Sequence, residues 1–156
     1  MKKLLVILTL VFGISALVSA QDYNTAIGFR GGPFLGLTAK HFVGEKAAVE
    51  GLFATRWKGF EVTGLYEIHN RAFDVDRLNW YYGAGAHLGF YDGDYTSWGE
   101  LGEVYTVLGI DGIIGLEYNI AEIPLNISID WKPAFNLVGY SRFFADGAAL
   151  SLRYTF

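Results

Sequence analysis

Residues 125–136 read L-N-I-S-I-D-W-K-P-A-F-N, and apolar and polar side chains alternate along almost the whole stretch. Successive side chains of a β-strand point to opposite faces, so a period of two separates an apolar face from a polar one. The pattern therefore predicts a strand with two chemically different faces. The apolar face carries Leu125, Ile127, Ile129, Trp131 and Phe135, and the polar face carries Asn126, Ser128, Asp130, Lys132 and Asn136.

The same alternation recurs along the chain and divides it into eight segments. Connections rich in Gly, Pro, Asp and Asn separate these segments, as turns do. The pattern predicts an all-β fold, and the even number of strands is that of bacterial single-chain barrels. The predicted strands are Tyr23–Arg30, Phe34–Phe42, Ala47–Trp57, Phe60–His69, Leu78–Tyr91, Tyr105–Asn119, Leu125–Asn136 and Ala148–Phe156.

The first 20 residues have the pattern of a secretory signal peptide. Lys2 and Lys3 precede an apolar run over residues 4–18, and Val18-Ser19-Ala20 places small residues where a signal peptidase cuts. We therefore expect a leader over residues 1–20 and one barrel domain over residues 21–156. The alternative is a membrane anchor, because the uncharged run is just long enough to span a bilayer.

Composition narrows the class of protein. Without Lys2 and Lys3 the chain has 10 basic and 16 acidic residues, a net charge near −6 that argues against a nucleic-acid partner. Cysteine is absent, so no disulfide and no lipidated N-terminal cysteine is expected. Aromatic residues make up 17% of the chain, yet the longest uncharged stretch after residue 22 is Leu78–Tyr91, of 14 residues. A second membrane helix does not fit this pattern, whereas alternation is typical of a transmembrane β-barrel.

Alternation alone leaves a soluble barrel as an alternative, in which the apolar faces would point inward. The position of the aromatic rings favours the membrane form, because rings near segment ends on the apolar face are typical of an interfacial girdle. We therefore predict an eight-stranded antiparallel up-and-down transmembrane β-barrel that follows a cleaved signal peptide. The predicted girdle consists of Trp57, Tyr66, Trp80, Tyr82, Tyr118, Trp131, Tyr154 and Phe156.

Closure of eight strands places both ends of the mature chain on one side of the membrane, which the signal peptide predicts to be the periplasm. The outward connections are then Gly31–Pro33, Lys58-Gly59, Asp92–Glu103 and Leu137–Gly147. The inward connections are Gly44–Lys46, Asn70–Arg77 and Ala121–Pro124.

The polar faces would collect five basic and six acidic side chains inside the barrel. A lumen of eight strands is just wide enough to be filled by side chains, so this near-neutral set predicts ion pairs across the lumen. A narrow conduit and a small-ligand cavity remain the alternatives. The predicted lumen charges are Arg30, Lys40, Glu50, Arg56, Glu61, Glu67, Asp111, Glu117, Asp130, Lys132 and Arg153.

Catalytic and metal-binding patterns are weak. A lipid-modifying barrel hydrolase needs a serine beside a histidine, yet no His-x-Ser pair accompanies His41, His69 or His87. Such a dyad would have to form across strands, so we expect no enzyme and no cofactor. The acidic pairs at residues 74 and 76 and at residues 92 and 94 do not match a twelve-residue calcium loop.

Residues 91–103 form the connection best suited to contact with another molecule. The stretch is long, acidic and contains exposed aromatic residues, a composition that suits contact with a protein or a saccharide. A mobile loop that merely closes a hairpin is the alternative.

The predicted leader, the eight alternating segments and the final Phe156 together resemble the small outer-membrane β-barrels of the OmpX/OmpA-like group. The resemblance implies that the last strand is recognised by the outer-membrane assembly machinery, through Leu152, Tyr154 and Phe156. It departs from that pattern at Ser151, where a glycine is usual, and at Ala149, where a polar residue is usual. It implies an integral outer-membrane protein in contact with lipid, with a structural or surface-contact role.

Overall fold

The computed structural model describes residues 23–97 and 99–156. The predicted signal peptide, residues 1–20, lies outside the described residues. The described residues form ten strands and one short 3₁₀ helix, Gly93–Tyr95. The strands are β1 Thr25–Gly31, β2 Leu35–Phe42, β3 Ala47–Arg56, β4 Gly59–Arg71, β5 Leu78–Asp92, β6 Val104–Asn119, β7 Leu125–Trp131, β8 Ala134–Val138, β9 Phe143–Phe144 and β10 Ala148–Thr155.

The sheet closes on itself. Each strand from β1 to β6 pairs antiparallel with the next, β10 pairs with β7, and β1 pairs with β10 from Ala26↔Thr155 to Gly31↔Leu150. β7 and β8 together occupy one position beside β6, so eight positions surround the lumen. The prediction of an all-β, eight-stranded antiparallel up-and-down barrel is confirmed.

The predicted strand over residues 125–136 is interrupted at Lys132 and Pro133. Proline has no N–H to donate to a sheet, so a strand that contains it loses one ladder hydrogen bond. The Pro133 carbonyl still accepts a hydrogen bond from the Gly112 amide at 2.9 Å, which keeps β8 beside β6. β8 then pairs with β9, so the predicted loop over residues 137–147 contains a small hairpin. The bounds of the other seven predicted strands differ from the observed ones by at most two residues.

The two faces of the sheet differ as the alternation predicts. Burial alternates residue by residue along β3 and β4, and the buried positions face the lumen. Large apolar side chains cover the outside, where Phe29 is 70% exposed and Ile129 is 60% exposed. Within the described part of the chain, no helix is both long enough and apolar enough to cross a membrane.

The two ends of the barrel carry different connections. The terminal end holds the beginning of β1 and the end of β10, where the Asn24 amide donates to the Phe156 carbonyl at 3.1 Å. It also holds the connections over residues 43–46, 72–77 and 120–124. The opposite end, which we call the loop end, holds the connections over residues 32–34, 57–58 and 93–103 and the segment between β8 and β10, residues 139–147.

One close approach inside the barrel requires glycine. The Tyr81 ring lies fully buried against β6, and a Cβ added to Gly115 would lie 2.6 Å from Tyr81 Cζ and 2.6 Å from Asp130 Cβ. Tyr81 also contacts Leu52, Leu65 and Ile113, which form a small apolar cluster within the otherwise polar lumen. Because Gly115 has no side chain, there is room beside it for the Tyr81 ring.

Replacing Gly115 by alanine should destabilise the barrel by about 1–3 kcal/mol, because the added methyl group overpacks the Tyr81 site. Gly64→Ala is the matched control, since a Cβ there would meet no described atom within 4 Å. Urea unfolding of both variants in detergent micelles measures the difference in their free energies of unfolding. Equal midpoints for the two variants would contradict this role of Gly115.

Candidate functional site in the barrel lumen

The lumen is lined by charged side chains from seven of the strand positions and by Lys132 between β7 and β8. The structure buries all of the predicted lumen charges except Arg56. Burial of a charge is costly unless it is paired and hydrogen-bonded, so the partners of each group decide whether the lumen is stable. The buried members are Arg30, Lys40, Glu50, Glu61, Glu67, Asp111, Glu117, Asp130, Lys132 and Arg153.

Lys40 is the centre of the cluster nearer the terminal end. Its Nζ lies 2.8 Å from Glu67 Oε2 and 3.6 Å from a carboxylate oxygen of both Glu50 and Glu117. The same ammonium lies 4.0 Å from the centroid of the Tyr81 ring. These groups come from β2, β3, β4, β5 and β6, so one cation connects five strands across the lumen.

Arg153 joins the last strand to the same cluster. Its Nη2 donates to Glu50 Oε1 at 2.5 Å and its Nε donates to Thr38 Oγ1 at 3.0 Å. Its Nη1 donates to Ser128 Oγ at 2.7 Å and to Asn126 Oδ1 at 3.2 Å. The guanidinium therefore has hydrogen-bond acceptors at three nitrogens, which offsets the loss of its hydration.

A bidentate pair lies between strands that are not neighbours. Arg30 of β1 donates to Asp130 of β7 through Nη1 at 2.6 Å and Nη2 at 2.5 Å, although β10 separates the two strands. The Tyr81 hydroxyl donates to the same carboxylate at 3.0 Å. Parallel hydrogen bonds of this kind fix the orientation of both groups as well as their charge.

A second cluster lies nearer the loop end, around Lys132. Its Nζ donates to Asp111 Oδ1 at 2.6 Å and to Glu61 Oε1 at 3.3 Å. The Tyr91 hydroxyl donates to Glu61 Oε2 at 2.5 Å, and His87 Nδ1 lies 2.8 Å from Asp111 Oδ2. Lys132 and Glu61 lie on opposite sides of the barrel, so this cluster also spans the lumen.

Glu61, His87 and Asp111 are the described residues that could together hold a metal ion. One ligand atom from each lies within 4.8 Å of the others, and all three side chains are buried. The Lys132 ammonium already lies between the two carboxylates. A metal ion would have to displace that ammonium, so the arrangement is one of paired charges.

The loop end of the lumen is closed by an aromatic cap, formed by Phe34, Trp57, Tyr91 and Phe144. The Trp57 ring centroid lies 5.4 Å from that of Tyr91, 6.1 Å from that of Phe144 and 6.4 Å from that of Phe34. Trp57 was predicted to belong to the outer girdle, and that prediction is wrong. The strand ends at Arg56, and Trp57 enters a two-residue turn with φ of 51°, which turns its ring over the lumen.

Arg56 lies in this mouth and not among the buried charges. Its guanidinium carbon lies 3.9 Å from the Trp57 ring centroid and 4.7 Å from that of Phe34, and its Nη2 donates to Asp146 at 2.6 Å. The Asp146 side chain is 46% exposed. The pair therefore joins the β3–β4 turn to the segment before β10 across the opening.

The terminal end is open by comparison. A cavity of about 360 Å³ enters the lumen there, and we call it the vestibule. Its lining includes the buried His69 and Glu117 together with Lys46, Arg71 and Arg77 from the surrounding strands and turns. Small molecules such as water can therefore reach polar groups of the lumen from the terminal end.

Two of the acidic side chains of residues 91–103 accept hydrogen bonds from the backbone of the same stretch. Asp92 Oδ1 accepts a hydrogen bond from the Asp94 amide at 3.0 Å, and Asp94 Oδ1 accepts one from the Gly102 amide at 2.6 Å. These contacts give the connection a defined conformation. Leu101 remains 87% exposed and Tyr95 remains 48% exposed at its surface.

The predicted assembly residues lie on the outer face of β10 or just after it. Leu152 and Tyr154 are 47% and 49% exposed, and Phe156 is 62% exposed. Arg153, which lies between two of them in the sequence, points into the lumen and is fully buried. The last strand therefore has the two faces that its alternation predicts.

Sequence reasoning placed His69 on the polar face of β4 with Glu61 and Glu67, and the structure buries it there. It did not assign the three lumen residues of β5, Tyr81, His87 and Tyr91, which share one parity along that strand. That parity was the available signal. It was missed because an aromatic residue or a histidine in a strand fits either face, whereas a formal charge does not.

Replacing Lys40 by methionine should destabilise the barrel by about 3–5 kcal/mol, because three carboxylates lose their shared cation. Arg71→Met is the matched control, since the Arg71–Asp76 pair is exposed and separated by 3.5 Å. Exposed pairs contribute only about 0–1 kcal/mol. Urea unfolding in micelles measures both, and a Lys40 variant as stable as the control would refute the role of the cluster.

Acidification should loosen the aromatic cap. The hydrogen bond from Arg56 lowers the pKa of Asp146 below its ordinary value of about 3.8. Because the folded pKa is the lower one, the pair stabilises the closed cap above about pH 4 and loses this contribution as the pH falls through the lowered pKa. The fluorescence of Trp57, obtained by subtracting the spectrum of a Trp57→Phe variant, should change in that range. In Asp146→Asn the altered signal should already be present at neutral pH, and a parent signal that is constant down to pH 2 would contradict the role of the pair.

Comparison with protein-family models, with curated proteins and with solved structures finds no match to this chain. The fold and the chemistry of its two faces are therefore the grounds for proposing a function.

Proposed function

We propose that this protein is an integral outer-membrane β-barrel of the small eight-stranded OmpX/OmpA-like kind. Its lumen is filled by polar side chains, and its role is structural or one of surface contact through the loop end. The observation that carries the proposal is the inverted distribution of polarity, with ion pairs inside the barrel and large apolar side chains outside. Bulk lipid is the solvent that such an outer surface fits.

The inverted polarity argues against the soluble alternative. A soluble barrel buries its apolar faces, whereas the lumen here buries Arg153, Lys40 and Glu67 completely. Soluble monomers rarely expose a continuous apolar surface of more than a few hundred Å². The outer face carries large apolar residues on every strand position, so water would be a poor solvent for it.

The positions of the aromatic rings also support a membrane environment for the outer surface. Near the terminal end, Trp80 and Tyr82 stack on the outer face at 5.2 Å, and Tyr154 and Phe156 meet edge to face at 5.0 Å. Nearer the loop end, the Phe60 ring lies 5.9 Å from Phe53 and 5.1 Å from Phe90. Rings at both ends of an apolar band are typical of residues at the two membrane interfaces.

The filled lumen supports a structural role over a narrow porin-like channel. Ion pairs cross the lumen at two levels, and the aromatic cap covers the loop end. An ion would have to displace these paired groups to pass, so no discrete conductance is expected in planar bilayers. Outer-membrane lipid is the proposed partner of the apolar band, and the assembly machinery is the proposed partner of the outer face of β10.

Cysteine labelling tests location and orientation together, because the chain has no cysteine of its own. Leu101→Cys places a thiol in the loop-end connection, and Val75→Cys places one in the β4–β5 connection at the terminal end. In intact Gram-negative cells that express the full chain, a membrane-impermeant maleimide should label only the Leu101 variant. The Val75 variant should react once the outer membrane is permeabilised.

The same cells provide the control for folding. Both variants should partition into the outer-membrane fraction and migrate faster on a gel before boiling than after it. Recovery of the protein in the soluble fraction without detergent would refute the membrane proposal. Labelling of Val75→Cys but not of Leu101→Cys in intact cells would reverse the proposed orientation.

A further inference from the structure

The lumen has an imbalance of charge if only its lysines, arginines and carboxylates are counted. Among the described residues, four buried basic groups face six buried carboxylates. Two uncompensated negative charges would be costly in a site shielded from water. Two buried histidines, His69 and His87, lie among these groups, and two protonated rings would restore the balance.

His69 lies between two carboxylates. Its Nε2 is 3.0 Å from Glu67 Oε2 and its Nδ1 is 3.3 Å from Glu117 Oε1. An ionised carboxylate accepts hydrogen bonds and cannot donate them, so both ring nitrogens face acceptors. The Tyr81 ring stacks on the imidazole at 4.9 Å with an interplanar angle of 16°, a position that favours a cation.

Three further groups surround His69. Lys40 from β2 is a like charge that by itself disfavours an imidazolium, but it contacts the same two carboxylates and so shares their charge with the ring. The Tyr23 hydroxyl donates to Glu117 at 3.1 Å. The Phe42 ring from β2 packs edge to face on the imidazole at 4.8 Å. Glu117 is thus shared by a lysine, a tyrosine hydroxyl and the histidine.

His87 has a similar environment in the cluster nearer the loop end. Its Nδ1 lies 2.8 Å from Asp111 Oδ2, and its Nε2 lies 2.9 Å from Asn136 Oδ1. Asp111 also accepts from Lys132, and Glu61 faces the site from β4. Both ring nitrogens again lie beside oxygen acceptors.

We propose that His69 and His87 are both imidazolium ions in the folded barrel and that each makes its own cluster of charges neutral. One cluster consists of Lys40, Arg153 and His69 with Glu50, Glu67 and Glu117. The other consists of Lys132 and His87 with Glu61 and Asp111, and the Arg30–Asp130 pair is neutral by itself. Histidine is the side chain that changes charge near neutral pH, so the filled lumen is sensitive to alkaline conditions.

The two histidines differ in access. His69 lines the vestibule, which opens at the terminal end, whereas His87 contacts Asn136, which lines the small space beneath the aromatic cap. The proton of His69 therefore has the more direct route to solvent. Its loss would leave Glu67 and Glu117 with Lys40 as their remaining cation.

Protonation can be read directly by NMR. Long-range ¹H–¹⁵N spectra of histidine-labelled protein in detergent micelles at pH 7.5 report every imidazole nitrogen. His41, whose Nδ1 lies 2.8 Å from the Thr25 hydroxyl, provides a third ring in the same spectrum, and His41→Gln identifies it. Both nitrogens of His69 and of His87 should be protonated. An unprotonated nitrogen in either ring would overturn the proposal, including the case in which Glu67 holds the proton instead.

Urea unfolding between pH 6.5 and pH 9 gives an independent readout. The midpoint should fall as the pH rises, because neutral imidazoles leave the lumen carboxylates unbalanced. His69→Gln should remove part of this pH dependence and should lower the midpoint at pH 6.5, whereas His41→Gln should retain the parent profile. A midpoint that stays constant while the two rings lose their protons would also overturn the proposal.

Discussion

The structure depends on the pairing of charges inside a closed sheet. A lumen this narrow excludes bulk water from groups such as Lys40 and Arg153, so each must find its partners among other side chains of the lumen. Some of those partners are available only when the barrel is closed, since Arg153 of β10 reaches Glu50 of β3 and Arg30 of β1 reaches Asp130 of β7. Closure of the sheet and satisfaction of the charges are therefore one requirement.

This requirement determines the outer surface as well. Side chains alternate across each strand, so the polar residues that fill the lumen leave the apolar residues pointing away from it. The result is the reverse of a soluble barrel, in which the apolar interior would supply the stability. Here the small apolar cluster around Tyr81 is a minor part of the interior, and lipid is the environment that we propose for the apolar surface.

The two ends of the lumen differ in how they are covered. At the loop end, aromatic rings and the Arg56–Asp146 pair cover the opening. At the terminal end, a vestibule leads to His69 and Glu117. The polar interior is therefore covered by aromatic rings at the loop end and opens into a cavity at the terminal end, where His69 lies.

The alternation of residues predicted the class of fold, the number of strand positions and the face of nearly every charged residue. It did so because a period of two is a local property, which each strand shows without reference to its neighbours. Arg56 illustrates the limit of that signal: its parity points it inward, yet its height in the barrel places it in the mouth, beside Asp146.

The pairing of particular groups depends on how the closed sheet brings them together. Arg30 and Asp130 are 100 residues apart, and their pairing depends on the register between strands and on the closure of β1 against β10. The same holds for Trp57, whose ring turns over the lumen because a two-residue turn follows Arg56, and for the break at Pro133. Register and closure are properties of the whole sheet, so they cannot be predicted from the periodicity of any single segment.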